Sequence, residues 1–198
     1  MALKDSVKIG EVCDIINGYA FKSSNYVESG IRIIRITNVQ KGFVHDNDPK
    51  YYPSDTIKAI KPFLLDEGDL LISLTGNVGR VGILEKEMLP AALNQRVACI
   101  RIKNENQVEK KYLFHILNSN TFENECLFNA KGIAQKNMST EWLKNYCIKL
   151  PSVDIQRNIS YKIDKIDELI MNSRKQLSDL DLLIKSRYCK RMSEEVAA

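Results

Sequence analysis

The chain predicts an α+β protein: a β-rich domain over residues 1–151, then one long C-terminal coiled-coil helix over residues 152–193. Three observations predict it. Runs of β-branched and leucine residues, bounded by Gly, Asn and Asp, fill the first hundred residues. Two segments after them switch to helical spacing. The last forty residues carry apolar side chains at heptad steps.

Taken in order, residues 9–16 form a short apolar run closed by the turn signal Asn17-Gly18. Tyr19, Phe21 and Tyr26 then flank a polar tip at residues 22–25, read as an exposed loop. Gly30 opens Ile31-Arg32-Ile33-Ile34-Arg35-Ile36-Thr37, partly alternating and β-branched, a predicted strand ending in a turn at Lys41-Gly42. Residues 45–55 are polar, with His45, Asp46, Asn47, Asp48 and Pro49, and read as a surface excursion. Glu67-Gly68-Asp69 turns into a buried strand at 70–74, Thr75-Gly76-Asn77-Val78-Gly79 is a tight loop, and residues 80–84 return. Leu93-Asn94-Gln95-Arg96 precedes a strand over Val97–Ile102. The first hundred residues thus read as hairpins joined by short links.

Residues 110–117 and 122–128 have helical spacing. Lys131-Gly132-Ile133-Ala134-Gln135-Lys136-Asn137 is a polar, basic loop, and Ser139 caps a short helix reaching Lys144. A last strand occupies 146–150, and Pro151-Ser152 leads into the long helix.

In that helix Ile159, Ile163, Ile166, Ile170, Leu177, Leu180 and Ile184 fall at steps of three, four or seven, interrupted only by Ser173. This is the a/d seam of a coiled coil. About 39 residues span roughly 58 Å at 1.5 Å per residue, too long to lie against one small domain. The chain has no second helix of that length, so the seam predicts a partner helix from another copy or another protein. A terminal helix folded onto its own domain is the plainer reading, and the strict heptad step weighs against it. Mixed charges on the outer faces describe a solvated surface rather than a basic DNA-binding arm.

The 198 residues carry a net charge of +4, with 44% apolar and 27% charged residues, a globular composition that permits nucleic-acid binding without demanding it. Nine Lys/Arg against eight Asp/Glu from Asp154 onward leave the helix nearly neutral, so the excess sits in the first domain. Five cysteines, an odd number with no CxxC pair, argue against a disulfide framework or zinc ribbon and for reduced thiols in the cytoplasm. No stretch of 18 apolar residues and no signal-like N-terminus predicts membrane insertion or secretion. His45 and His115, the only histidines, support no triad. There is no HExxH, calcium-loop, Walker lysine, Gly-x-Gly-x-x-Gly or amino-methyltransferase Asn/Asp-Pro-Pro-Tyr/Phe motif. Gly76 and Gly79 present either a hairpin turn, the favoured reading, or a phosphate cradle. No catalytic, metal or cofactor residue is predicted.

The remaining polar residues suit recognition. Asn and Gln pair adenine edges, Arg and Lys pair guanine, and Lys holds phosphates. Candidate DNA contacts are Lys22 and Ser23; Arg35, Thr37 and Asn38; Thr75, Asn77 and Arg80; Gln95 and Arg96; and Lys131, Gln135, Lys136 and Asn137. The other reading is a β-rich adaptor on a coiled-coil stalk with no DNA specificity, and a third is a small enzyme with a site of unfamiliar form.

In this order the signals resemble the target-recognition domain of type I restriction–modification specificity subunits. The likeness rests on Ile16-Asn17-Gly18-Tyr19-Ala20-Phe21, Gly30 with Ile33 to Val39, Gly68-Asp69-Leu70-Leu71-Ile72 with the Thr75 to Gly79 loop, Asn94-Gln95-Arg96, and Gln135-Lys136-Asn137-Met138-Ser139 followed by Ile148-Lys149-Leu150-Pro151 and Gln156. The resemblance implies a non-catalytic subunit that binds double-stranded DNA. Modification subunits carrying S-adenosylmethionine would methylate adenine, and a restriction subunit would cut. Full specificity subunits have two recognition domains and two antiparallel helices; this chain shows one of each. Either it pairs as a half-subunit with a second copy and reads a gapped inverted repeat, or it is a piece of a two-domain subunit.

Overall fold

The computed structural model describes residues 6–130 and 137–196, with side chains through Arg187. It divides into two compact units, residues 1–157 and 158–198.

The first unit begins with β1 (Val7–Lys8), a single helical turn α1 (Ile9–Val12) and β2 (Cys13–Asn17). Then come β3 (Ile31–Ile34), β4 (Tyr51–Tyr52), β5 (Leu64–Leu65), β6 (Leu70–Ser73), β7 (Val81–Ile83), β8 (Ala91–Leu93) and β9 (Val97–Ile102). Helices α2 (Lys110–Leu117), α3 (Asn120–Asn129) and α4 (Thr140–Asn145) follow, then β10 (Cys147–Ile148) and the start of α5 (Val153–Val196).

The described strands form two four-stranded sheets, ordered β2-β9-β6-β7 and β4-β3-β8-β5, and a small pair in which β10 returns to β1. Alternation on the two central strands explains the layering. Leu70, Ile72, Ala98 and Ile100 point to one side, where Leu113, Leu117, Phe122, Cys126 and Leu143 of the helices cover them. Leu71, Val97 and Cys99 point to the other, against Ile34, Leu65, Ala91 and Leu93 of the second sheet. Strands β6 and β9 are thus buried on both faces, which is why they read as apolar runs. The outer face of the second sheet has its own cover, with Phe21, Ile31, Ile33, Tyr52 and Ile60 around Ala92.

The sequence expectations need three corrections here. The first strand of the second sheet ends at Ile34 rather than Thr37, because Asn38 folds back: its side-chain oxygen accepts the Arg35 N–H at 2.8 Å and its N–H reaches the Arg35 carbonyl at 2.9 Å. Residues 45–55 are not a plain excursion. Tyr51 and Tyr52 pair with β3, and the side chain of Asp46, 3% exposed, holds Arg32 at 2.6 Å. Finally, β3 and β8 are parallel neighbours, a non-local pairing rather than a hairpin.

The helices match closely. Glu109 caps α2 by accepting the Lys111 and Tyr112 N–H groups, and Ser139 caps α4 through the Glu141 N–H at 3.1 Å. Gln156, fully buried, closes the unit: its amide donates to the Gln107 and Pro151 carbonyls and accepts the Glu109 N–H at 2.8 Å. The second unit is helical and runs through the predicted seam.

Candidate nucleic-acid interface

Sheet topology gathers distant loops at one edge. Strands β3 and β8 run parallel with Ile34 opposite Leu93, so the segments leaving both emerge side by side. Ser73, ending β6, lies opposite Val97, which begins β9, so the 74–80 loop leaves beside the same 94–96 link. Backbone hydrogen bonds stitch them: Asn94 N–H to the Ile34 carbonyl at 3.1 Å, Leu74 N–H to the Arg96 carbonyl at 3.0 Å, and Gly42 N–H to the Val81 carbonyl at 2.8 Å. Residue 137 joins them, since Asn137 bridges Thr75 and the Met138 N–H reaches the Leu74 carbonyl at 2.8 Å. Gly18 has a defined task in this arrangement. A Cβ there would sit 2.1 Å from the Asn94 carbonyl oxygen, so only glycine lets the N-terminal segment press against the 94–96 link.

Gln95 and Arg96 are exposed, and with Asn94 they form one side of an open depression of about 220 Å³ whose remaining lining is Arg35, Ile36 and Thr37. Thr37 and Asn77 are exposed. Arg80 is half-buried, and its guanidinium donates to the Gln40 side-chain oxygen at 2.7 Å, linking two loops 40 residues apart. Arg35 donates to the Asp48 carbonyl at 2.5 Å and its carboxylate at 3.4 Å, while its Nε is enclosed without a partner. The Asp48 carboxyl pKa is lowered from its ordinary value, chiefly through its hydrogen bond from Lys50 and then through Arg35.

Several predicted contacts stand elsewhere. Asn38 is 3% exposed; its amide donates to the His45 carbonyl and the Asp46 carboxylate, so it builds the loop and reads nothing outside it. Thr75 is buried where it bridges Asn137. Lys22 and Ser23 are exposed at a 3-10 turn that follows Phe21, whose ring packs edge-on against Tyr52 of the second sheet and against Tyr19, the residue whose carbonyl accepts the Gln95 N–H at 2.9 Å. Lys131, Gln135 and Lys136 lie outside the described residues, while Asn137 is exposed beside Thr75. The Gly79 N–H is consumed by the Ser73 carbonyl at 3.0 Å, so the 75–79 loop is a closed turn rather than a phosphate cradle at that residue.

The sequence reading missed Phe43 and His45. They line a second depression of about 480 Å³ together with Arg35, Gln40, Asn47 and Asp48. Phe43 is 52% exposed and packs edge-on against His45. A lone aromatic beside the Lys41-Gly42 turn was the available signal.

Such an edge offers guanidinium, amide and aromatic groups with matched reach, the set that binds phosphates and base edges. It offers little to covalent chemistry. Burial pushes the Cys13 and Cys126 thiols up to about 12 and raises Cys99 further, so none is an available thiolate near neutral pH. Among the described residues no group of His, Cys, Asp or Glu is placed to hold a metal, and no helix is long and apolar enough to cross a membrane.

Comparison with known proteins agrees with this geometry. Residues 3–180 match the model of the type I restriction modification DNA specificity domain. The type I restriction enzyme MjaVIII specificity subunit of Methanocaldococcus jannaschii is 31% identical over 179 residues, which are 88% of this chain and 42% of that protein. The EcoAI specificity subunit of Escherichia coli is 32% identical over 173 residues, 85% of this chain and 28% of that protein. The chain thus spans less than half the length of these relatives. Among solved structures, the HsdS subunit from Thermoanaerobacter tengcongensis superposes with a TM-score of 0.64 at 25% identity, covering 84% of this chain and 38% of that one. A chain from a type I R-M system, solved to explain complex assembly and conformational transition, reaches 0.70 at 23% identity over 91% of this chain and 42% of its own, and supports the fold. With one family model covering most of its length and the same fold in solved relatives, this chain belongs to the type I restriction modification DNA specificity domain family.

Proposed function

We propose that this chain is a DNA sequence-recognition module of a type I restriction–modification system. The observation that carries the reading is the single edge where Arg35, Arg80 and Arg96 stand with Asn77 and Gln95, Gln40 tying Arg80 to the neighbouring loop. Cations there hold phosphates, and the amides read bases. The module makes and breaks no covalent bond. Modification subunits, holding S-adenosylmethionine, methylate adenine at the site it selects, and a restriction subunit joined through them cuts unmodified DNA. All of this takes place in the cytoplasm. A second copy, paired through the α5 seam, completes the reading of a gapped inverted repeat.

Selection from a random duplex pool, with and without a modification subunit, tests this. An inverted repeat with a fixed gap is the expected product. Arg96→Ala should then weaken binding to that duplex by about 5- to 150-fold, the span of 1–3 kcal/mol for a base contact, or reduce affinity equally for all sequences if Arg96 holds a phosphate. An absence of enrichment in both conditions overturns the reading and leaves a coiled-coil adaptor, whose interactions would lack the steep salt dependence of phosphate contacts.

A further inference from the structure

The 39–44 hairpin carries an exposed aromatic side chain next to its buried valines. Val39 and Val44 pair across the hairpin and are buried at 0% and 5% exposure, yet Phe43 between them is 52% exposed. The segment that carries it is tied down along its length. The Gln40 N–H closes the turn on the Phe43 carbonyl at 2.9 Å, and the Gly42 N–H is tied to β7 at the Val81 carbonyl. The Lys41 ammonium is held by Glu123 at 2.5 Å and Asn120 at 3.1 Å on α3. The Gln40 side chain accepts from Arg80. The backbone of β7 presses so closely beneath that a Cβ on Gly82 would lie 2.4 Å from the Phe43 carbonyl oxygen. The ring is therefore presented on a fixed support, between the guanidinium-bearing loops.

We propose that Phe43 is a specificity-determining contact that packs on the 5-methyl group of a thymine in the major groove. This rests on the DNA-recognition reading above. A phenyl ring has no hydrogen bond to offer, so a base edge can reward it only with apolar surface. In the major groove that surface is the thymine methyl. Preorganisation strengthens the proposal, because a ring carried on a held backbone spends little ordering entropy on contact. The neighbouring Arg35, in the same depression, and Arg80 are of the kind that pair major-groove edges, which favours this groove over insertion as a wedge between base steps from the minor groove.

The test uses the duplex obtained by selection, with each thymine replaced singly by deoxyuridine, which removes the methyl and keeps the pairing. Affinities are measured for the whole chain and for Phe43→Ala and Phe43→Leu, with thermal unfolding to verify the fold. One deoxyuridine position per half-site should weaken wild-type binding about fourfold, the worth of one buried methyl. The same replacement should cost Phe43→Ala nothing and Phe43→Leu an intermediate factor. A deoxyuridine scan that is identical for wild type and Phe43→Ala overturns the proposal, as does a selected site with no fixed thymine. Failure of selection itself is a separate outcome that removes the DNA reading and this inference with it.

Discussion

Arg35 is already paired in the free protein, and its partner determines what it can do. Asp48 pairs with the Arg35 guanidinium at 3.4 Å and with Lys50 at 2.6 Å, and the hydrogen bond from Lys50, then Arg35, lowers its carboxyl pKa below the ordinary value. Exposed pairs of this kind contribute little to stability, so a phosphate can displace the carboxylate. Asp48 also sets a negative charge at an edge that, on the proposed DNA-recognition reading, approaches a polyanion. Asp48→Asn should therefore raise affinity for an arbitrary duplex roughly threefold at low salt, the scale of removing one like charge from a steered encounter. The gain should fade as salt shortens the screening length. Fluorescence anisotropy at two salt concentrations measures both. Unchanged affinity would mean that Arg35 faces away from DNA. Asn38 marks the limit of reading such a loop from sequence. Its residue type suits a base edge and suits a turn equally well, and only the fold reveals that the loop backbone, Asp46 and His45 claim its amide. Arg96 and Gln95 were legible because the strand that follows them fixes their position at its mouth.

At the scale of elements, legibility followed locality. Helices α2 and α4 carry their own periodicity and caps, so their sequence sufficed. Strand β8 did not, since Ala91, Ala92 and Leu93 are all buried and show no alternation. Its parallel pairing with β3, nearly 60 residues earlier, is what brings two loops of the interface together. Asp69 was read as an ordinary turn acid and is instead 6% exposed, taking Arg101 Nε at 2.9 Å, Nη2 at 2.5 Å and the Asp66 N–H at 2.9 Å. This fork raises the Arg101 guanidinium further above its ordinary value and pins the turn before β6 to β9. Arg101→Ala should cost about 3 kcal/mol in urea unfolding, because it strands a buried carboxylate. The paired residues lie toward the Leu70–Ile100 end of the β6–β9 ladder, and the loops leave from the Ser73–Val97 end. DNA affinity of the folded variant should accordingly stay within about twofold of wild type, since sites that share no partner act nearly additively. A larger loss in folded protein would place the pair in the interface.

For the whole molecule the open question is what covers α5. Ile166, Ile170, Leu177, Leu180 and Ile184 are 43–65% exposed, and Leu169 and Leu183 widen the apolar stripe beside them. Ser173 turns its hydroxyl to the Leu169 carbonyl at 2.9 Å, so the donor of the one polar layer is satisfied within its own helix. An apolar face of this extent on a single helix is costly in water and signals a partner. A second copy would supply a self-complementary one, because a two-fold axis lays the same stripe against itself. Leu177→Asp combined with Leu180→Asp buries like charges at two adjacent layers and should convert a dimer to a monomer by sedimentation at micromolar concentration. The recognition unit should remain folded, and the variant should select a single half-site in place of a gapped repeat. The contrary result is equally specific. If the unsubstituted chain sediments as a monomer at that concentration, the second copy is excluded as the covering helix. The stripe then belongs against a helix of another protein or of a longer form of this one, and the gap between half-sites is set by that partner.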